Sequence, residues 1–184
     1  MPHAATDSDA VLLRRARCEA LDLATFYAVL RLRVDVFVVE QRCPYPELDG
    51  QDTDPDTEHW WAEAHGQVLA TLRVLSASER PRIGRVATAA RARGRGHAGT
   101  LMRAALESLD ATCAADVTLE AQAHLQGWYA GFGFTPTGRE YLEDGIPHVS
   151  MVRTSRLGRH HGQDRGAGQD DERHGQLGAH DHGK

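Results

Sequence analysis

The sequence predicts an α/β domain, with a mixed, mostly antiparallel sheet of seven strands flanked by helices. Three observations lead there. Short apolar and β-branched runs bounded by turn residues recur along the chain. Two segments carry apolar residues at helical spacing. A glycine-rich bend, Arg93-Gly94-Arg95-Gly96-His97-Ala98-Gly99, joins the apolar run from Val86 to the second of those helices. With 184 residues, 41% of them hydrophobic, the chain can bury one real core.

Residues 1–11 read as a polar, flexible leader and residues 12–155 as the folded domain. Leu12 to Leu21 alternates Arg15, Arg17 and Glu19 with Ala16, Cys18 and Ala20, a strand pattern. Asp22 is placed to cap a helix whose apolar residues Leu23, Phe26, Leu30, Val34 and Phe37 share one face, fraying before Cys43. Pro44 to Glu58 is a loop carrying Glu47, Asp49, Asp52, Asp54, Asp56 and Glu58 with no basic residue, so a negative rim is expected. Asp52, Asp54, Asp56 and Glu63 match a calcium-loop spacing, but Thr57 replaces the required glycine and Pro55 intrudes, so no metal is expected.

Trp60 to His65, a Gly66-Gln67 turn and Val68 to Leu75 read as a hairpin, followed beyond a Ser76 to Pro81 loop by a strand at Arg82 to Ala87. After the glycine bend, Leu101, Ala105, Leu106 and Leu109 line a helix. Val117 to Gln122 is a buried strand, His124 to Gly131 a short helix, and Gly133-Phe134 opens another strand. Asp144-Gly145 is a turn before the last strand, His148 to Arg153. Residues 156–184 are glycine, histidine and mixed charge, with His160, His161, His174, His180 and His182 at no fixed ligand spacing; a disordered tail is expected.

Net charge is -5, so no global basic field exists to hold nucleic acid, and the clustered arginines must serve something local. No apolar run is long enough to span a membrane, and Met1 to Asp9 lacks a signal-peptide core. Cys18, Cys43 and Cys113 lie far apart and cannot all pair, which fits reduced thiols and a cytoplasmic location. A homodimer is kept open.

The bend itself reads as a phosphate cradle. Its glycines permit a tight turn that aims several N–H groups one way, the following helix adds its positive end, and Arg91, Arg93 and Arg95 supply guanidinium forks. Two cofactor readings compete. Gly94, Gly96 and Gly99 satisfy a dinucleotide fingerprint, with Glu120 about twenty residues on where a ribose-binding acid sits. Against it, Thr88 to Arg93 separate the strand from the first glycine, and too little chain follows for further βαβ units.

Arg93, Gly96 and Ala98 alternatively form Arg/Gln-x-x-Gly-x-Gly/Ala, and Tyr129, Gly133-Phe134 and Gln122 fall downstream of it. On these residues the chain resembles the GNAT superfamily of acetyl-CoA-dependent N-acetyltransferases. More narrowly, Val36-Phe37-Val38-Val39-Glu40-Gln41, Cys43-Pro44-Tyr45, Glu47-Leu48-Asp49-Gly50, Ala121-Gln122-Ala123-His124 and Glu143-Asp144-Gly145-Ile146-Pro147-His148 resemble its ElaA-like branch.

The resemblance implies a sheet splayed between its fourth and fifth strands, with the pantetheine arm of acetyl-CoA paired to Val86, Ala87 and Thr88 and with Gln122 beside it. It implies pyrophosphate on the backbone from Arg93 through Gly94, Arg95, Gly96, His97, Ala98 and Gly99, and an N–H near Val86 holding the thioester oxyanion. Tyr129 would be the general acid for the leaving thiolate. Deprotonating a lysine amine at pH 7 costs roughly 4.6 kcal/mol, against about 1.4 for an α-amine. Glu120 would take that proton, with His124 or His59 as relay. Glu40, Asp49, His59 and His148 would wall the pocket of an amine acceptor, a small molecule or a peptide. A binding module that senses acyl-CoA without turnover is the alternative, and a nicotinamide-dependent enzyme the third reading.

Overall fold

The computed structural model describes residues 10–76 and 80–155; the leader up to residue 9, part of the Ser76 to Pro81 loop and the tail from 156 lie outside the described residues. The strands are β1 (Leu12–Arg17), β2 (Thr57–Ala64), β3 (Gln67–Leu75), β4 (Arg82–Thr88), β5 (Val117–Gln122), β6 (Thr135–Pro136), β7 (Tyr141–Glu143) and β8 (Ile146–Arg153). Helices α1 (Leu23–Arg33), α2 (His97–Thr112) and α3 (Gln126–Ala130) complete the fold. The sheet order is β1-β2-β3-β4-β5-β8-β6, with β7 also paired to β8. Every pairing is antiparallel except β4 with β5, so the sheet is mixed and mostly antiparallel, as expected. It has eight strand segments rather than seven because the stretch after Phe134 forms two short pieces, β6 and β7.

Turn chemistry fixes the hairpins. His65 and Gly66, with φ of 51° and 70°, close β2 onto β3, and Asp144 and Gly145, with φ of 50° and 80°, close β7 onto β8. Positive φ at both central residues matches the right-handed twist of the flanking strands. The first of these turns therefore sits one residue earlier than expected. β1 is shorter than expected, since Cys18–Ala20 turns away as a single tight helical turn before Asp22 caps α1 by accepting from the Thr25 N–H at 2.9 Å.

Alternation along the strands sorts side chains to two faces. Leu72, Val74, Ile83, Val117, Leu119, Ala121, Val149 and Met151 face α2 and form the main core with Leu101, Met102, Ala105 and Leu106. The opposite face carries polar groups: His59, Thr71, Arg73, Arg82, Thr118, Glu120, Gln122, His148 and Ser150. Helix α1 covers only part of it. Past Arg33 that helix winds wider over Val34–Glu40, where the Gln41 N–H reaches the Val36 carbonyl five residues back. This wider winding is frequent at functional sites, and it ends at Glu40, before Cys43 as expected.

A strap from Gln41 to Asp56 crosses the rest of that face. Its expected negative rim is not what forms, because Glu47, Asp49 and Asp52 turn inward onto arginines contributed by α1, β3 and β4. Arg33, fully buried, pairs with Glu47 and, at 2.5 Å, with Asp52. Arg73 bonds Asp49 at 2.6 Å and Asp52 at 2.9 Å, and Arg85 lies 2.8 Å from Glu47 and 3.0 Å from Asp49. Three guanidinium groups thus neutralise three carboxylates, and only Asp54 and Asp56 keep the exposed character expected of the loop. Among the described residues no cluster of three or more His, Cys, Asp or Glu side chains is arranged to hold a metal, and no helix is long and apolar enough to cross a membrane.

Candidate active site

The site begins where the sheet opens. β4 and β5 are in register at one pair only, Arg82 with Thr118, reinforced by the Thr118 N–H donating to the Pro81 carbonyl at 2.9 Å. Beyond that point the strands part, leaving the β5-facing edge of β4 without a strand partner over Gly84 to Thr88. The register of β3 against β4 also skips between Thr71–Ala87 and Arg73–Gly84, so β4 holds one extra residue there, and Arg85 takes φ of 55°. A bulge of this kind re-aims backbone groups and is typical next to active sites. A cleft of about 1100 Å³ occupies the opening.

One end of the cleft is the glycine bend. Gly94 and Gly96 adopt φ of 75° and 80°, conformations a side chain would strain, and no side chain caps α2. The Thr100 N–H is bonded to the Gly96 carbonyl, which leaves the N–H groups of His97, Ala98 and Gly99 as the free first turn of a sixteen-residue helix. His97 lines the cleft with its Nε2 buried and without a hydrogen-bond partner among the described residues. A polar atom in that state calls for a ligand group, and free N–H groups at a positive helix end suit an anion. The residues therefore fit a diphosphate.

The expected cofactor residues Val86, Ala87, Thr88, Arg93, Gly94, Gly96, His97, Ala98, Gly99 and Gln122 all line this one cleft. Arg95 is exposed and does not, and Arg91 donates to Gln67 at 3.0 Å, away from it. Arg93 forms a two-pronged pair with Glu40, both contacts at 2.6 Å. That hydrogen bond holds the Glu40 carboxyl below its ordinary range, so Glu40 is committed to the arginine rather than standing free for a cation.

Tyr129 lines the middle of the cleft on α3, edge-on to Trp128 and Phe134, and is 6% exposed. None of the described residues hydrogen-bonds its hydroxyl, and burial pushes its pKa up to about 12, so it stays a donor. Across the opening Glu120 accepts from the Tyr141 hydroxyl and from Ser150 Oγ at 2.7 Å. Burial and that bond to Glu120 raise Tyr141 to about 12 as well. Gln122 donates to Gln41 at 2.9 Å, tying β5 to the strap, and His124 lies at the α3 side of the same cleft. His148 lines the far wall, with Nδ1 2.9 Å from the Ile146 carbonyl and its ring tilted against Tyr141.

The placement takes His59 out of the site and changes the character of Asp49 within it. His59 lies outside the cleft, fully buried, with Nε2 2.9 Å from the Asp52 carbonyl and Phe26 edge-on to its ring. Burial lowers its pKa and keeps it neutral, so it is a packing residue of the ion-pair cluster and neither relay nor acceptor wall. Asp49 does line the cleft, but its charge is taken by Arg73 and Arg85. Burial opposes its ionisation, yet the bonded Arg73 outweighs that and holds its carboxyl well below the usual carboxylate range. Sequence reasoning missed Tyr45, Arg73, Arg82 and Arg85 as cleft residues and Tyr141 and Ser150 as partners of Glu120. The one signal available for them was strand alternation, which puts Arg73, Glu120 and Ser150 on the face away from the core. The dinucleotide reading also lacks support, since a single parallel contact is not the parallel βαβ sheet it requires.

Comparison with known proteins is consistent with this architecture. Residues 32–155 match the acetyltransferase (GNAT) domain family. A UPF0039 protein of Mycobacterium tuberculosis is 48% identical over 147 residues, covering 77% of this chain and 92% of that one. Protein ElaA of Escherichia coli is 41% identical over 141 residues, covering 72% and 90%. Among solved structures, an acyl-CoA N-acyltransferase from Pseudomonas aeruginosa superposes with a TM-score of 0.75 at 42% identity, covering 79% of this chain and all of that one. Escherichia coli ElaA superposes with a TM-score of 0.74 at 36% identity, covering 78% and 99%.

Proposed function

The chain belongs to the acetyltransferase (GNAT) family and is related to its ElaA branch, and from that premise we propose that it transfers acetyl from acetyl-CoA to a primary amine by direct attack in a ternary complex. The observation that carries this reading is the parting of β4 from β5 directly ahead of an uncapped helix N-terminus. The unpaired edge of Val86, Ala87 and Thr88 suits an extended chain of amides, which pairs there as an added strand would. The first turn of α2, with Gly94, Gly96 and His97, suits the diphosphate.

In this reading the amine nitrogen attacks the thioester carbonyl carbon, the carbon–sulfur bond breaks, and the sulfur leaves with its electron pair. Tyr129 donates to that sulfur, a role supported by its raised pKa and its place in the cleft. Glu120, held by Tyr141 and Ser150, takes the amine proton directly or through water, and His124 offers a second route. A backbone N–H at the bulge near Val86 holds the oxyanion. No cysteine has a role in the step, and the free thiols of Cys18, Cys43 and Cys113 support a reducing, cytoplasmic setting.

Thiol release tests the reading. The full chain, given acetyl-CoA and a panel of amines, is expected to release thiol in proportion to N-acetyl product. CoA binding without release across the panel would leave a sensor module instead.

A further inference from the structure

The cleft is lined by four arginines, Arg73, Arg82, Arg85 and Arg93. Three of them are ion-paired, Arg73 and Arg85 with the strap carboxylates and Arg93 with Glu40. Arg82 is different. Among the described residues it has no carboxylate partner, only a 3.4 Å hydrogen bond to Gln51 Oε1. It is exposed, at the narrow end of the opening, as the Cα partner of Thr118.

Strand alternation places Arg82 on the same face as Glu120. Ile83, Val117 and Leu119 point into the α2 core, so Arg82, Thr118 and Glu120 all lie on the opposite, cleft-bearing face. Glu120 is two residues along β5 from Thr118, a rise of about 6.6 Å. In the transferase reading the amine stands where the strands have parted, beside Glu120, and a group that it carries toward the vertex meets a guanidinium without a counter-charge.

We propose that the acceptor is a zwitterion, an amino acid whose carboxylate pairs with Arg82 while its amine faces Glu120. This rests on the transferase reading above and narrows its substrate. Two charge-assisted hydrogen bonds of about 2.8 Å each, plus the short backbone of an amino acid, are comparable with the roughly 6.6 Å rise from Thr118, the partner of Arg82, to Glu120. The carboxylates free of arginine on the far wall, Glu120 and Glu143, favour the ammonium end and repel a second anion. A polyamine places a cation against Arg82 and is disfavoured.

The test uses matched pairs: alanine with ethylamine, phenylalanine with phenethylamine, histidine with histamine, and β-alanine and γ-aminobutyrate for spacing. Thiol release gives kcat/KM for each, and calorimetry follows the same amino acids binding to the full chain saturated with CoA. At least one amino acid is expected to exceed its decarboxylated partner by about 10-fold or more, the margin of a hydrogen bond between charged groups. Arg82→Gln is expected to reduce that ratio by roughly 10- to 150-fold, through KM rather than kcat, with Arg82→Lys recovering part of it. A wild-type ratio near one, or a ratio that Arg82→Gln leaves alone, overturns the proposal. Turnover of no amine at all ends the transferase reading, yet Arg82-dependent amino-acid binding to the CoA complex still upholds this subsite. Loss of both overturns it.

Discussion

Replacing Tyr129 by Phe removes one hydroxyl and little else. The ring stays edge-on to Trp128, with centroids 4.8 Å apart, and to Phe134 at 6.3 Å, so packing and stability should be nearly unchanged. The catalytic loss can be bounded from the raised pKa of about 12. Against a thiol near 8.5, full proton transfer from Tyr129 is uphill by several kcal/mol. The hydroxyl therefore acts chiefly as a hydrogen-bond donor to charge developing on sulfur. Such a bond to a charged group contributes roughly 1.5 to 3 kcal/mol, so kcat should fall about 10- to 150-fold with the KM for acetyl-CoA nearly constant. Thiol release under saturating acetyl-CoA measures this, alongside thermal unfolding of the variant. Tyr129 should also add no falling limb to the kcat–pH profile up to about pH 10. Wild-type turnover in a folded variant would refute the reasoning.

Further outcomes concern the strap and its ion pairs. Arg33→Met removes the buried guanidinium that Glu47 and Asp52 share, leaving each with one arginine, Arg85 and Arg73, in sites 3% and 5% exposed, and should cost about 3 kcal/mol in denaturant unfolding. The pH dependence has two stages. The folded-state pKa of His59 is lowered, so the unfolded chain binds its proton first and stability falls as pH drops below about 6.5. Asp49 and Asp52 are lowered too, and their contribution, fully present above the ordinary aspartate pKa of 3.8, is lost progressively as pH falls below it. His59→Gln should flatten the upper stage while leaving the lower one, as followed by chemical denaturation between pH 3 and 8.

Local signals carried much of this fold into the sequence. Asp144-Gly145 dictated its hairpin, since both residues tolerate positive φ, and Gly94 and Gly96 marked the bend before α2 for the same reason. Leu101, Ala105, Leu106 and Leu109 announced the buried face of α2. What stayed hidden depended on partners distant in the chain. The acidic run from Glu47 to Asp52 reads as a solvated loop until Arg33, Arg73 and Arg85 arrive from three other elements. His59 looked available for chemistry because nothing nearby in sequence reveals that Asp52 and Phe26 enclose it. The wider winding of Val34–Glu40 has no composition of its own, and Tyr141 and Ser150 reach Glu120 only through the pairing of β5, β7 and β8.

The account stands on the parted strands and the uncapped helix end receiving a CoA thioester. Isothermal calorimetry of the full chain with CoA, run beside NAD, addresses this most directly. One molecule of CoA per chain should bind with a measurable heat that Gly96→Val, which forces a branched side chain onto a φ of 80°, largely abolishes, while NAD gives none. No heat from CoA, or equal heats from both nucleotides, would contradict it.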